Sequence, residues 1–258
     1  MLQVAPHHPS SPSRTKSTKI SNSPHIPQLS EVDLKSMTPR QRVFNELVQT
    51  ETNFVNVLKS ILYVFKRPLD EDQEQVGVRH IITINNLGHH DKNDIYFHQV
   101  GAPNQGGQLL NKTELNLIFG NLTPIYDVHL KMLTEFSQAQ ANWNDQISVG
   151  EIYLKYAQDL LKAYPPYVNY FEESKRTLQE CEKKNPRFYA FLKVCQSKPE
   201  SGRQHLADLL MHPIQRLPRV ILLLTDILKY TTREKPDHKD VGKLDTAVNK
   251  IKEVRKLF

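Results

Sequence analysis

Residues 206–230 read LADLLMHPIQRLPRVILLLTDILKY. Apolar side chains recur there at Leu206, Leu209, Leu210, Ile214, Leu217, Ile221, Leu224 and Leu228. Steps of three and four residues put them on one stripe of a helix, so the spacing predicts a helix over Leu206 to Tyr230 with one buried face. Pro213 and Pro218 fall inside it and predict a kink or local loosening. On the other side, Asp208, His212, Gln215, Arg219, Leu222, Asp226 and Lys229 repeat with the same period. That face is mixed polar and carries one leucine. It is either a solvated face or a docking surface, with Gln215 and Arg219 as donors and Leu222 as an apolar anchor.

The rest of the ordered chain has the same character. Thr38-Pro39 suits a helix start, because threonine can cap and proline lacks an N–H that has no helical partner there. Phe44, Leu47, Phe54, Leu58, Ile61 and Phe65 then form a stripe on a long helix predicted to end near Arg67-Pro68. Glu51 interrupts this stripe. A carboxylate at an apolar position either reaches water from the rim or is buried and paired.

From Asn111 a broad apolar face runs through Leu115, Ile118, Phe119, Leu122, Ile125, Tyr126, Val128, Leu130, Leu133 and Phe136. Ser148-Val149-Gly150-Glu151 reads as a capping box opening a helix through Leu161. Tyr164-Pro165-Pro166 is expected to stop that helix and start the next, and Asn185-Pro186 to open a short one to Gln196. A last helix is expected from Lys239 to Phe258. Residues 68–110 break the periodicity, with Gly88, Gly101, Gly106 and Gly107, and are expected to be an inserted loop. Within them, Ile81-Ile82-Thr83-Ile84 has the composition of a short strand. The expected fold is all-α, an elongated bundle of long antiparallel helices with a long inserted loop.

Composition narrows the function. Residues 1–36 are rich in Ser, Pro, His and Lys without apolar periodicity and are expected to be disordered. Ser11-Pro12 and Ser23-Pro24 make Ser11 and Ser23 candidate phosphorylation positions. The formal charge of the 258 residues is +6, a mild excess that an ordinary lysine-rich surface explains. No apolar run approaches the roughly 20 residues of a membrane span. Two cysteines fourteen residues apart, Cys181 and Cys195, read as free thiols in a reducing compartment. There is no phosphate-binding loop, dinucleotide turn, zinc-type spacing or nucleophile elbow, so neither cofactor nor metal is expected. A basic surface binder of membrane or nucleic acid would need more than Lys250, Lys252, Arg255 and Lys256, and no nucleic-acid partner is expected.

Three stretches in order resemble the Dbl-homology exchange domains. Glu46-Leu47-Val48-Gln49-Thr50-Glu51-Thr52-Asn53-Phe54-Val55 resembles the first conserved region. Ile152-Tyr153-Leu154-Lys155-Tyr156 and Tyr164-Pro165-Pro166-Tyr167 resemble the middle one. Leu210 to Leu224, with Pro213-Ile214-Gln215-Arg216, resembles the third. The resemblance spans residues 38–258 and is strongest to the branch of the family that acts in cytokinesis.

It implies a guanine-nucleotide exchange factor, without covalent chemistry of its own, for a Rho-family small GTPase of RhoA type. By matched position it implies that Glu51 engages switch I, and that Gln215, Arg219, Leu222 and Asp226, extended by Asp208, meet switch II. Both Glu51→Ala and Arg219→Glu are then expected to abolish exchange with the fold intact. The family prefers lysine where Arg219 stands, and Val220-Ile221 replace its usual aromatic and proline. The resemblance further implies tandem BRCT repeats upstream and a PH domain downstream that would bring membranes near, with a further contact just past Phe258. It implies an intracellular protein, in the cytoplasm, in the nucleus in interphase and at the cell cortex or midzone in division. A helical GTPase-binding scaffold that does not exchange is the alternative.

Overall fold

The computed structural model describes residues 36–78 and 108–256. The expectations for the leader with Ser11 and Ser23, and for the Ile81–Ile84 run, lie outside the described residues. Among the described residues every regular element is helical.

Helix α1, Pro39–Ser60, starts where the sequence places it: the Thr38 hydroxyl accepts the Gln41 N–H at 3.2 Å, and proline occupies the first turn. Its expected end at Arg67-Pro68 is not an end. The chain passes through a π-helical stretch, Ile61–Lys66, and continues as α2, Arg67–Val78. Pro68 brings no N–H, and the carbonyl of Val64, four residues earlier, accepts the Cys195 thiol at 3.3 Å instead. The chain re-enters beside α2, where Asp72 Oδ2 accepts the Leu109 N–H at 2.9 Å and the Gln73 amide donates to the Leu110 carbonyl. The expected insertion therefore begins with three turns of helix.

The broad face after Asn111 divides into α3, Lys112–Phe119, and α4, Leu122–Ala141, with Gly120 and Asn121 between. Asn111 and Glu114 exchange side-chain and backbone bonds across the first turn of α3. Then come α5, Val149–Asn169; α6, Phe171–Lys184; and α7, Pro186–Ser197, capped by Asn185. The Pro165-Pro166 pair does not stop α5, which runs a turn beyond it. The carbonyls that lose their donors belong to Leu161 and Lys162, on the half-exposed and exposed side, where water can take them.

The helix expected over Leu206 to Tyr230 is broken. A single turn, α8, Leu206–Leu209, is followed after Leu210-Met211 by α9, His212–Glu234. Pro213 starts α9 and Pro218 lies within it. The Leu210 carbonyl at the break accepts the Tyr167 hydroxyl at 2.5 Å. The last helix, α10, is Val241–Arg255.

Helix α1 packs between α4 and α9, α10 packs on α5 and α9, and α3 lies on α6. Phe44, Phe136 and Tyr153 sit in the core, with Trp143 stacked on Phe44 at 4.9 Å.

Ser148 does not cap α5 through a box with Glu151. Asp240, from the turn before α10, reaches across and does so. Its Oδ2 accepts Val149 N–H at 2.9 Å, and its Oδ1 accepts Gly150 N–H at 3.0 Å and the Ser148 hydroxyl at 2.6 Å. A buried carboxylate at a helix N-terminus needs a countercharge. Arg40 supplies it at 3.2 Å and also holds Thr231 Oγ1 and the Ile147 carbonyl. Here α10 passes so close that a Cβ on Gly150 would lie 2.5 Å from the Leu244 nitrogen and the Lys243 carbonyl carbon. Both are backbone atoms that cannot swing aside. Gly150→Ala is expected to cost about 1–3 kcal/mol or more. That should lower the melting temperature by several degrees, about 2–4 °C per kcal/mol for this size, and a wild-type melt would refute it.

Candidate functional site

Helix α9 has two unlike sides. Pro213, Arg216, Leu217, Val220, Leu224 and Ile227 are buried against α1 and α10. Gln215, Arg219, Leu222 and Asp226 are exposed, each three or four residues from the next. Leu222 is 67 % exposed, the largest exposure among the large apolar side chains described. One such leucine among hydrogen-bonding groups is the composition of an interface anchor and not of a core. Asp208 is also exposed but sits on α8, across the break. It is close enough to His212 for its charge to oppose the lowering of the His212 pKa by burial.

Helix α1 completes the face. Glu46, Gln49, Asn53 and Asn56 form its exposed stripe. Glu46 Oε1 lies 3.8 Å from Arg219 Nη2, with both side chains more than half exposed. At that separation and exposure the pair is loose and worth little to the fold. It leaves a carboxylate and a guanidinium side by side, both available to another molecule.

Glu51 is not part of this face. It is 0 % exposed, so the expectation that it touches a partner is corrected by its position. Its apolar neighbours in the stripe face the core, and Glu51 faces it with them. There it is fully partnered: Arg216 Nη2 donates to Oε2, and His129 Nδ1 lies 2.5 Å from Oε1. Since a carboxylate only accepts, Nδ1 carries the hydrogen, and Nε2 on the other side of the ring lies 2.8 Å from the Tyr164 hydroxyl. Arg216 Nη1 also donates to Thr50 Oγ1 at 3.0 Å, and its guanidinium lies 5.7 Å from the Phe54 ring centre. Burial alone would raise the Glu51 pKa. The charge of Arg216, with His129, more than reverses this and holds it at about 2.

Three residues that matter were missed in the sequence. Glu46 carried a signal, because it begins the polar stripe of α1 while Glu51 lies in the apolar one. Arg216 falls on the buried side of α9 by simple periodicity. His129 is buried while Leu130, counted in the apolar face, is 41 % exposed. The two thiols are buried and unlinked, and burial pushes each up to about 11, where it is a poor nucleophile. Among the described residues no group of three or more acidic, histidine or cysteine side chains is placed to hold a metal, and no helix is long and apolar enough to cross a membrane.

This helical frame carries a mixed face shared by its first and its penultimate long helix, and the sequence settles which class of domain it is. Residues 43–258 match the RhoGEF domain family, and the chain belongs to it. It is 42 % identical over 215 residues to Protein ECT2 of Mus musculus and 41 % identical over 227 residues to Protein ECT2 of Homo sapiens. Those matches cover 83 % and 85 % of this chain but 20 % and 21 % of the relatives, so the chain spans about a fifth of their length.

Among solved structures it is similar to the DH/PH domains of PDZ-RhoGEF, solved in complex with activated RhoA. The TM-score is 0.68 at 19 % identity, covering 89 % of this chain and 56 % of that one. It is also similar to the linker-DH/PH domains of p115-RhoGEF, with TM-score 0.65 at 22 % identity, covering 84 % and 55 %. Both likenesses bear on the fold, which is the Dbl-homology fold.

Proposed function

We propose that the domain accelerates GDP release from a Rho-family GTPase of RhoA type. It does so by docking on the GTPase switch regions through Glu46 on α1 and Gln215, Arg219, Leu222 and Asp226 on α9, with Asp208 at the edge. The observation that carries the reading is the exposed Leu222 beside the loosely paired Glu46 and Arg219. An apolar anchor with one donor and one acceptor beside it suits a protein surface that has both signs. Family membership and the RhoA complexes of structural neighbours point to the GTPase as that surface.

No covalent bond need change. A face that binds the nucleotide-free GTPase more tightly than the nucleotide-bound one lowers the barrier to nucleotide loss. The face accordingly needs no nucleophile. Glu46 takes the place first given to Glu51, and Arg219 and Gln215 present the donors. Similarity to ECT2 supports a role of the whole protein in cytokinesis, inside the cell.

The test is release of fluorescent GDP from RhoA-, Rac- and Cdc42-type GTPases, with residues 36–258 added and unlabelled nucleotide in excess. Release above the intrinsic rate from the Rho type supports the reading. Intrinsic rates throughout, with a helical folded domain, would leave a scaffold that binds without exchanging.

A further inference from the structure

We propose that Arg216 and Glu51 are positioning residues for exchange: their buried contact fixes how α9 is turned about its own axis against α1. It thereby sets the spacing between Glu46 and the Gln215, Arg219 and Leu222 stripe. The proposal rests on the docking reading above and deepens it.

Arg216 follows Gln215 directly and lies three residues before Arg219. It is 4 % exposed and points away from the docking side. Its two terminal nitrogens grip successive residues of α1, Thr50 and Glu51. Glu51 is held in turn by His129 of α4, and His129 by Tyr164 of α5. One chain of bonds therefore ties the inner side of α9 to three other helices.

The hydrophobic driving force behind the leucines of α9 is non-directional, so they fix the turn of the helix less sharply than a directional contact does. A planar guanidinium bridging two neighbouring residues is directional. Side-chain tips lie roughly 5–6 Å from a helix axis, so a turn of about 20° moves them by about 2 Å. That is enough to undo the 3.8 Å placement of Arg219 beside Glu46.

Net stability does not require the cluster, although removing one member from it is costly. Buried ion pairs are often replaceable by apolar groups without loss.

The experiment compares the maximal GDP-release rate and the half-saturating domain concentration for the wild type and two variants. Arg216→Lys keeps the buried charge but loses the two-pronged grip. Its maximal rate is expected to fall on the order of tenfold to a hundredfold, with the half-saturating concentration little changed, since every exposed contact group remains. The variant Glu51→Leu, His129→Phe, Arg216→Met replaces the cluster by apolar groups. It is expected to melt no lower than Arg216→Lys yet to exchange as slowly.

A merely structural cluster would let exchange recover with stability. A stable apolar variant with the wild-type maximal rate would therefore overturn the proposal. If the apolar variant does not fold, Arg216→Lys decides, and a full maximal rate there overturns it equally. A wild type that accelerates nothing would instead defeat the underlying reading of function.

Discussion

Glu51→Ala will lower the melting temperature of the domain by roughly 10 °C. The mutation removes the carboxylate but not the charge it neutralises. Arg216, 4 % exposed, would keep Thr50 as its one remaining side-chain acceptor, and the His129 Nδ1 hydrogen would lose its acceptor. Breaking a buried pair from one side costs about 3–5 kcal/mol, and each kcal/mol moves the midpoint by about 2–4 °C in a chain of this size. Any loss of exchange in this variant would thus come from the fold first.

Glu51→Gln keeps an acceptor and should lose less, and its pH dependence identifies the cause. The pKa of Glu51 is lowered on folding, from 4.5 to about 2. Its ionised form therefore stabilises the fold fully above pH 4.5, and that contribution disappears as pH falls toward 2. The gap between wild type and Glu51→Gln in denaturant midpoint should be full at pH 7 and close progressively below pH 4.5. A Glu51→Ala melt within two degrees of wild type, read by circular dichroism, would mean that Glu51 is not sealed as described.

Arg219→Glu is the opposite case. Arg219 is exposed and loosely paired, so the reversal should change stability by no more than about 0.5–1 kcal/mol. Its effect on a partner should be large. It sets a second carboxylate beside Glu46, where the wild type offers one charge of each sign 3.8 Å apart. A carboxylate set against partner groups arranged for the Arg219 cation costs several kcal/mol, which corresponds to a loss of exchange on the order of a hundredfold or more. Exchange at the wild-type rate, in a variant with a wild-type melt, would remove Arg219 from the docking face. Together the two substitutions separate a residue that builds the domain from one that meets its partner.

The helical class and the docking stripe of α9 were legible because both rest on periodicity, and burial follows it. Gln215, Arg219, Leu222 and Asp226 all fall where spacing puts them. Helix ends were less legible, because a helix can run past a proline where the carbonyl it orphans finds another donor. At Pro68 a thiol from a residue far along the chain stands near that carbonyl, and at Pro165-Pro166 the exposed side is open to water. Glu51 was legible as an anomaly but not as a buried one. Its partners lie 78 and 165 residues away, and one sequence does not reveal such pairing. The cap of α5 failed for the same reason: a local box looked sufficient, and Asp240 was 90 residues off.

The contact between Arg40 and Asp240 joins positions 200 residues apart. Helical proteins are usually fast folders because their contacts are local. Here the turn before α10 must reach the start of α5 before that helix is capped, and the first turn of α1 must join them before Asp240 has its countercharge. Refolding should therefore show helix signal early and a slower phase in which Trp143, whose ring lies 5.1 Å from the Arg40 guanidinium, reaches its native fluorescence. During synthesis the start of α5 stays uncapped until residue 240 is available, so the two ends of the domain close together and late.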